Sequence, residues 1–309
     1  MAGGVTLPRD VLPGQFVLLN RRCAQREFLL RPDDEANQTF LYCLAVAAEK
    51  YGIEVIIAIA MSDHHHTGLY DRHGRRVEFY GYFHMLLARS MNALRRRSEG
   101  FWSTDPPCVV ELVDRAAVVE KVVYAATNPV NAGLVERACE WPGVNTLAAL
   151  LEEREITVRR PTHFFSEDGE LPEVVTLKMV VPPELGDAAA FRAEVAARVA
   201  EVEAAAAQAR ARSGASVLGP AGVLAQATTQ RAVTPEVRGR LRPRFATRDA
   251  AAARAVMARW SAFLAGYRAA RERWLAGAAA VFPAGTYWLQ RFANVTVAPL
   301  PAVAPLAMS

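Results

Sequence analysis

The chain has 309 residues, 52% of them hydrophobic and 22% charged, which excludes an extended disordered protein and leaves room for one large domain or two ordinary ones. A net charge of +4 with a pI near 9.0 permits a polyanionic partner without requiring one. The four cysteines form no CxxC pair, the N-terminus lacks the order of a signal peptide and no apolar run is long enough to span a membrane, so a soluble cytoplasmic protein with no membrane partner, zinc knuckle or disulfide framework is expected.

In chain order, QFVLLNRR (Gln15–Arg22) reads as a strand. DDEANQTFLYCLAVAAEKYG, residues 33–52, opens with acids and ends at glycine, as a helix does. IEVIIAIAMS, residues 53–62, is short and rich in β-branched residues, which favours a buried strand. MSDHHHTGLY follows and holds three of the chain's six histidines. If Ser62 and Asp63 turn the chain and HHHTGLY returns as a strand, His64 and His66 project to one face and His65 to the other. Two imidazoles at i and i+2 can share one divalent ion. The same residues also suit a solvated turn or a set of hydrogen-bonded core histidines, and two ligands do not make a site.

A helix is expected over residues 77–97, then a strand in PCVVELVD from Pro107, then a helix capped by Asp114 and running through RAAVVEKVVYAAT. The order β-α-β-β-α-β with a further helix predicts an α+β, ferredoxin-like domain over residues 1–160. Residues 161–309 read as a mainly α-helical extension. Within it PEVVTLKMVVPP, residues 172–183, could form a strand, and residues 187–212 an alanine-rich helix. Residues 219–248 are rich in glycine, proline and arginine, with Arg231, Arg238, Arg240, Arg242, Arg244 and Arg248 either on a solvated loop or touching phosphates. The last helix carries Trp260, Tyr267 and Trp274, expected to pack a small core with FPAGTYWLQRF.

The segment YAATNPVNAGLV begins at Tyr124. Asn128 lies four residues on, so the two share a helical face, with Lys121 a turn earlier. Pro129 disfavours helical geometry at Asn128, so the helix is expected to end there. An asparagine carbonyl oxygen suits a hard ion such as Mg2+ or Mn2+. Where this helix lies across the sheet face of His64 and His66, two imidazoles, an amide oxygen and a phenol converge. Taken separately, Tyr124 could simply pack and Asn128 simply cap.

MSDHHH, then YAATNPVNAGLV, then EWPGVNTL together resemble the single-tyrosine HUH transposases, and within them the REP-associated tyrosine transposase branch. The likeness covers residues 7–151, and the joint occurrence of the three motifs is far more specific than any one of them. It implies a ferredoxin-like nuclease acting on single-stranded DNA, in some cases hairpin-flanked, as a monomer or homodimer. By position, His64, His66 and Asn128 would hold Mg2+ or Mn2+ and Tyr124 would be the nucleophile, leaving a 5′-phosphotyrosine and a free 3′-hydroxyl. A free phenol has a pKa of about 10, so a nearby cation must favour the phenolate, with Lys121 or the metal as the candidates. The chain departs from the pattern at Ser62 and Asp63, where the family often has Pro and Asn, at His65, where it has an apolar residue, and at Phe16 and Val17, where it commonly has Tyr and His. Candidate phosphate contacts are Arg21, Arg22, the run Arg95, Arg96 and Arg97, and the arginines of the extension, although charges at a helix end are also ordinary solvated surface. Two alternatives remain: a domesticated, non-catalytic DNA-binding protein of the same fold, and a metal hydrolase built on the His-x-His pair, for which only His73, His84 and His163 could add imidazoles.

Overall fold

The computed structural model describes residues 8–233 and 243–300. Strand β1 (Gln15–Arg22) buries its first five residues and ends in Asn20, Arg21 and Arg22, so it runs from the core to the rim of the sheet. Helix α1 (Asp34–Tyr51) starts where the Asp33 carboxylate accepts the Ala36 N–H at 2.9 Å and stops at Gly52, whose φ of +63° suits glycine. Strands β2 (Glu54–Ala60) and β3 (His64–Asp71) form the expected hairpin about Ser62 and Asp63. Helix α2 (Arg76–Arg95) lies close to the expected span and ends where Arg96 takes a left-handed conformation (φ +54°). After β4 (Cys108–Leu112), the Asp114 carboxylate accepts the Ala117 N–H at 2.6 Å and opens α3 (Arg115–Ala126).

The expectation that Asn128 ends this helix needs correction. Helix α3 closes at Ala126, and Asn128 begins a separate single turn, α4 (Asn128–Asn131). Pro129 is accepted there because a first helical turn needs no N–H from it. The rest of the chain forms α5 (Leu147–Leu151), the pair β5 (Ile156–Arg159) and β6 (Val174–Leu177), the long α6 (Ala188–Ser213) and α7 (Gly219–Ala225). These are followed by β7 (Phe245–Ala246), α8 (Ala250–Leu275), β8 (Val281–Phe282), α9 (Trp288–Ala293) and β9 (Thr296–Val297).

The main sheet has the order β2-β3-β1-β4-β7. The first four strands pair antiparallel, and β7 joins β4 in parallel. A strand in the glycine- and arginine-rich stretch was not expected from its composition; the two residues of β7 are held by the edge they join, not by propensity. Helices α1 and α2 cover one sheet face, with the Phe40 and Phe83 rings 5.4 Å apart beneath them. Helix α3 packs on β2 and β3 from the other face and on α6 behind it. Phe191, Val195 and Val199 of α6 are buried in the same hydrophobic core as the sheet. Of the α8 aromatics Tyr267 packs as expected on a small second core of Ala270, Phe282 and Val295; Trp260 stacks on Phe263, and Trp274, Trp288 and Phe292 are exposed. Among the described residues no helix is long and apolar enough to cross a membrane.

Candidate metal and nucleophile site

The pleat of β3 divides the three histidines. His65 is fully buried on the α1/α2 side, with Nδ1 3.1 Å from Thr67 Oγ1 and Nε2 2.9 Å from His84 Nε2. His64 and His66 face α3, their rings edge to face with centroids 4.9 Å apart. On the adjacent strand Arg22 lies opposite His64 and Asn20 opposite His66, so Arg22 stands on the site's side of the sheet and Arg21, opposite His65, on the other.

Helix α3 brings Tyr124 to the same place. Its ring meets His66 edge to face at 5.3 Å and is 45% exposed, open to a large substrate. Lys121 Nζ lies 5.7 Å from the Tyr124 ring centroid and is held by Glu120 Oε1 at 3.0 Å. Asn128, at the start of α4, places its Nδ2 3.3 Å from His66 Nε2.

The donor set suits a small divalent cation. Burial, with His64, His65 and Arg22 nearby, holds the His66 imidazole well below its usual pKa, leaving it neutral with a lone pair to offer. An amide's oxygen and nitrogen exchange places by a half-turn, which would bring the Asn128 oxygen to the position now held by Nδ2. Two donors about 2.1 Å from one ion at a right angle are about 3 Å apart, close to the spacing found here. His64 Nδ1 donates to Asp63 Oδ1 at 2.7 Å, which leaves Nε2 as the atom it could offer to an ion. Burial alone would raise the Asp63 carboxyl, but the hydrogen bond and charge of His64, and Arg26 at 3.5 Å, outweigh it and hold the group below the usual carboxylate range. Among the described residues no three His, Cys, Asp or Glu side chains lie together as a metal cluster, so an ion here would depend on the Asn128 amide.

Other candidates are engaged elsewhere. Arg95 binds Asp33 at 2.7 Å and the Leu29 and Arg31 carbonyls, and Arg97 pairs with Glu27 at 3.2 Å. Arg96 is the residue that closes α2. Arg231 also reaches Glu27, Arg248 holds Glu120 at 2.8 Å, and Arg244 stacks on Trp260 at 4.0 Å. Arg238, Arg240 and Arg242 lie outside the described residues.

Two positioning groups escaped the sequence reading. Asp63 was legible as a carboxylate beside an imidazole. Asn145 had no such signal: its Nδ2 donates to the Ala126 carbonyl at 3.1 Å and the Ala138 carbonyl at 3.2 Å, bracing the end of α3. The same EWPGVNTL segment fixes the hairpin, since Trp141 Nε1 donates to the Ala60 carbonyl at 2.9 Å. Gly143 permits that contact, because a Cβ there would meet the Trp141 indole nitrogen and lie 2.9 Å from the Ala60 oxygen.

No protein-family model matches the chain, and no curated protein matches it. Among solved structures it is similar, at a distance, to a REP-associated tyrosine transposase bound to a REP hairpin, with 12% sequence identity and a TM-score of 0.40 over 59% of this chain and 100% of that one.

Proposed function

We propose that the chain is a metal-dependent single-stranded DNA endonuclease and strand-transfer enzyme of the tyrosine HUH type, built on a ferredoxin-like domain. The observation that carries this reading is the meeting, within one chain, of Tyr124, His66 and Asn128, with the rings of Tyr124 and His66 5.3 Å apart and Asn128 3.3 Å from His66.

A divalent cation held by His64, His66 and Asn128 would polarise the scissile phosphate and offset its developing charge. The Tyr124 Oη attacks phosphorus, the bond from phosphorus to the 3′ oxygen breaks, and the strand leaves with a 3′-hydroxyl while its other part stays on the enzyme as a 5′-phosphotyrosine. A phenolate is a better leaving group than an alkoxide, so a later 3′-hydroxyl can attack the same phosphorus and release Tyr124, rejoining DNA without a nucleotide cofactor. Lys121 supplies positive charge beside the phenol, with Glu120 fixing where the ammonium sits. Asp63 keeps the His64 proton on Nδ1. Arg22, on the same sheet side as the histidine pair, is placed to steady a flanking phosphate.

The test is incubation of the full chain with a randomised, end-labelled single-stranded oligonucleotide pool, with Mg2+ or Mn2+ and with chelator. A protein-linked band that needs the metal is expected. Absence of any adduct in either metal, with DNA binding intact, would replace the nuclease by a non-catalytic DNA-binding protein.

A further inference from the structure

On the sheet face opposite the histidine pair, Arg21 is a cation without a counter-charge among the described residues. Its guanidinium lies over the Trp102 ring, 5.2 Å from the centroid, and its Nε is buried with no hydrogen-bond acceptor. Burial lowers its pKa to about 10, and no carboxylate among the described residues opposes the shift. Its neighbours are the neutral pair His65 and His84, both held far below the usual imidazole range by burial first. Trp102 is fixed in place, since its Nε1 donates to the His84 carbonyl at 2.9 Å and its ring packs 5.1 Å from that of His84.

The nearby arginines differ. Arg95, Arg97 and Arg26 each face a carboxylate, at 2.7, 3.2 and 3.5 Å respectively. Buried charges in folded proteins are ordinarily paired, because desolvating a lone ion is costly. An unpaired guanidinium on an aromatic ring, partly open to solvent, is therefore a place for an anion that arrives from outside. Arg21 and Arg22 are consecutive and project to opposite sides of β1 at its last two positions, so a chain of phosphates crossing the end of that strand could meet both.

We propose that Arg21, held on the Trp102 ring, forms a subsite for a phosphodiester of single-stranded DNA, on the far face of the sheet from Tyr124. The inference rests on the nucleic-acid reading given above. In it the DNA wraps the rim of the sheet, one phosphate held by Arg21 on one side and the scissile one near Tyr124 on the other.

The test compares wild type with Arg21→Met and Arg21→Lys, binding a labelled oligothymidylate over a range of salt concentrations, together with thermal melting without DNA. Arg21→Met keeps the length of the side chain and its packing on Trp102 but removes the charge. It should weaken binding roughly tenfold at low salt and reduce the slope of log K against log salt by about 0.7. Its melting temperature without DNA should be unchanged or higher, because an unpaired, partly buried charge is gone. Arg21→Lys should restore the slope. A wild-type slope in Arg21→Met overturns the subsite and leaves the nuclease reading standing, whereas no single-stranded DNA binding by the wild type overturns both. An Arg21→Met chain that does not fold would make Arg21 a structural cation and also overturn the subsite.

Discussion

Asn128 and His66, 62 positions apart in the chain, meet side chain to side chain at 3.3 Å. That contact ties the helical turn after Tyr124 to the histidine hairpin, and the proposed cation would sit there. Asn128→Asp replaces a neutral oxygen donor by a charged one and should tighten Mn2+ binding, while Asn128→Ala should weaken it by about tenfold or more. Titration calorimetry with Mn2+ alone reads both. Equal affinity in all three proteins would remove Asn128 from the ligand set.

His64 and His65 are adjacent and should behave oppositely toward metal. His65→Leu leaves the buried His84 Nε2 without its partner at 2.9 Å and should cost about 1–3 kcal/mol of stability, with Mn2+ binding retained. His64→Ala should abolish tight Mn2+ binding and, by leaving the largely buried Asp63 carboxylate without its donor at 2.7 Å, should also cost about 1–3 kcal/mol of stability. Urea denaturation beside metal titration separates the two, and a loss of metal affinity in His65→Leu would mean that the face assignment is wrong.

Acid should destabilise the fold before its carboxylates titrate. Burial lowers His65 to about 3 and also holds His66 and His84 well below the usual value, so all three stay neutral when folded. Above about pH 6.5 the unfolded chain leaves them neutral too and nothing is lost. Below it the unfolded state takes up protons that the folded state does not, so stability falls with pH, by up to about 1.4 kcal/mol per unit for each histidine. Urea unfolding between pH 7.5 and 4.5 should give this slope, and His65→Leu combined with His84→Phe should reduce it to the part that His66 contributes. A pH-independent stability over that range would contradict the buried neutral pair.

The extension cannot simply be removed to ask whether it binds DNA. Phe191 of α6 is fully buried in the core shared with the sheet, and β7 completes the sheet beside β4. Phe191→Ala should therefore cost about 3–5 kcal/mol, measured by urea denaturation, and a truncation after Arg160 should yield aggregated protein. A truncated chain that is soluble and unfolds cooperatively would show that the first half stands alone.

The local elements of the first half were legible because local rules decide them. Asp33 and Asp114 cap their helices as their positions imply, Gly52 ends α1, and the alternation of β3 assigns His65 to the core. The meeting of Asn128 with His66 could be expected only from the pairing of motifs, since nothing in either segment alone sets how α3 crosses the sheet. Long-range partners left no local trace. Arg95 reads as part of a basic run, yet its role is set by Asp33 and two carbonyls from the chain ahead of α1. Strand β7 exists only because β4 offers an edge, and Asn145 braces Ala126 across a turn that no periodicity predicts.

The central claim is that the Tyr124 oxygen forms the bond to DNA, and Tyr124→Phe removes that oxygen while keeping the ring against His66. The measurement is a denaturing gel of wild type and Tyr124→Phe, each incubated with the same labelled single strands in Mg2+ or Mn2+, beside an anisotropy measurement of DNA affinity. A covalent adduct and strand cleavage are expected in wild type only, with equal DNA affinity in both proteins. An adduct that persists in Tyr124→Phe would contradict the claim.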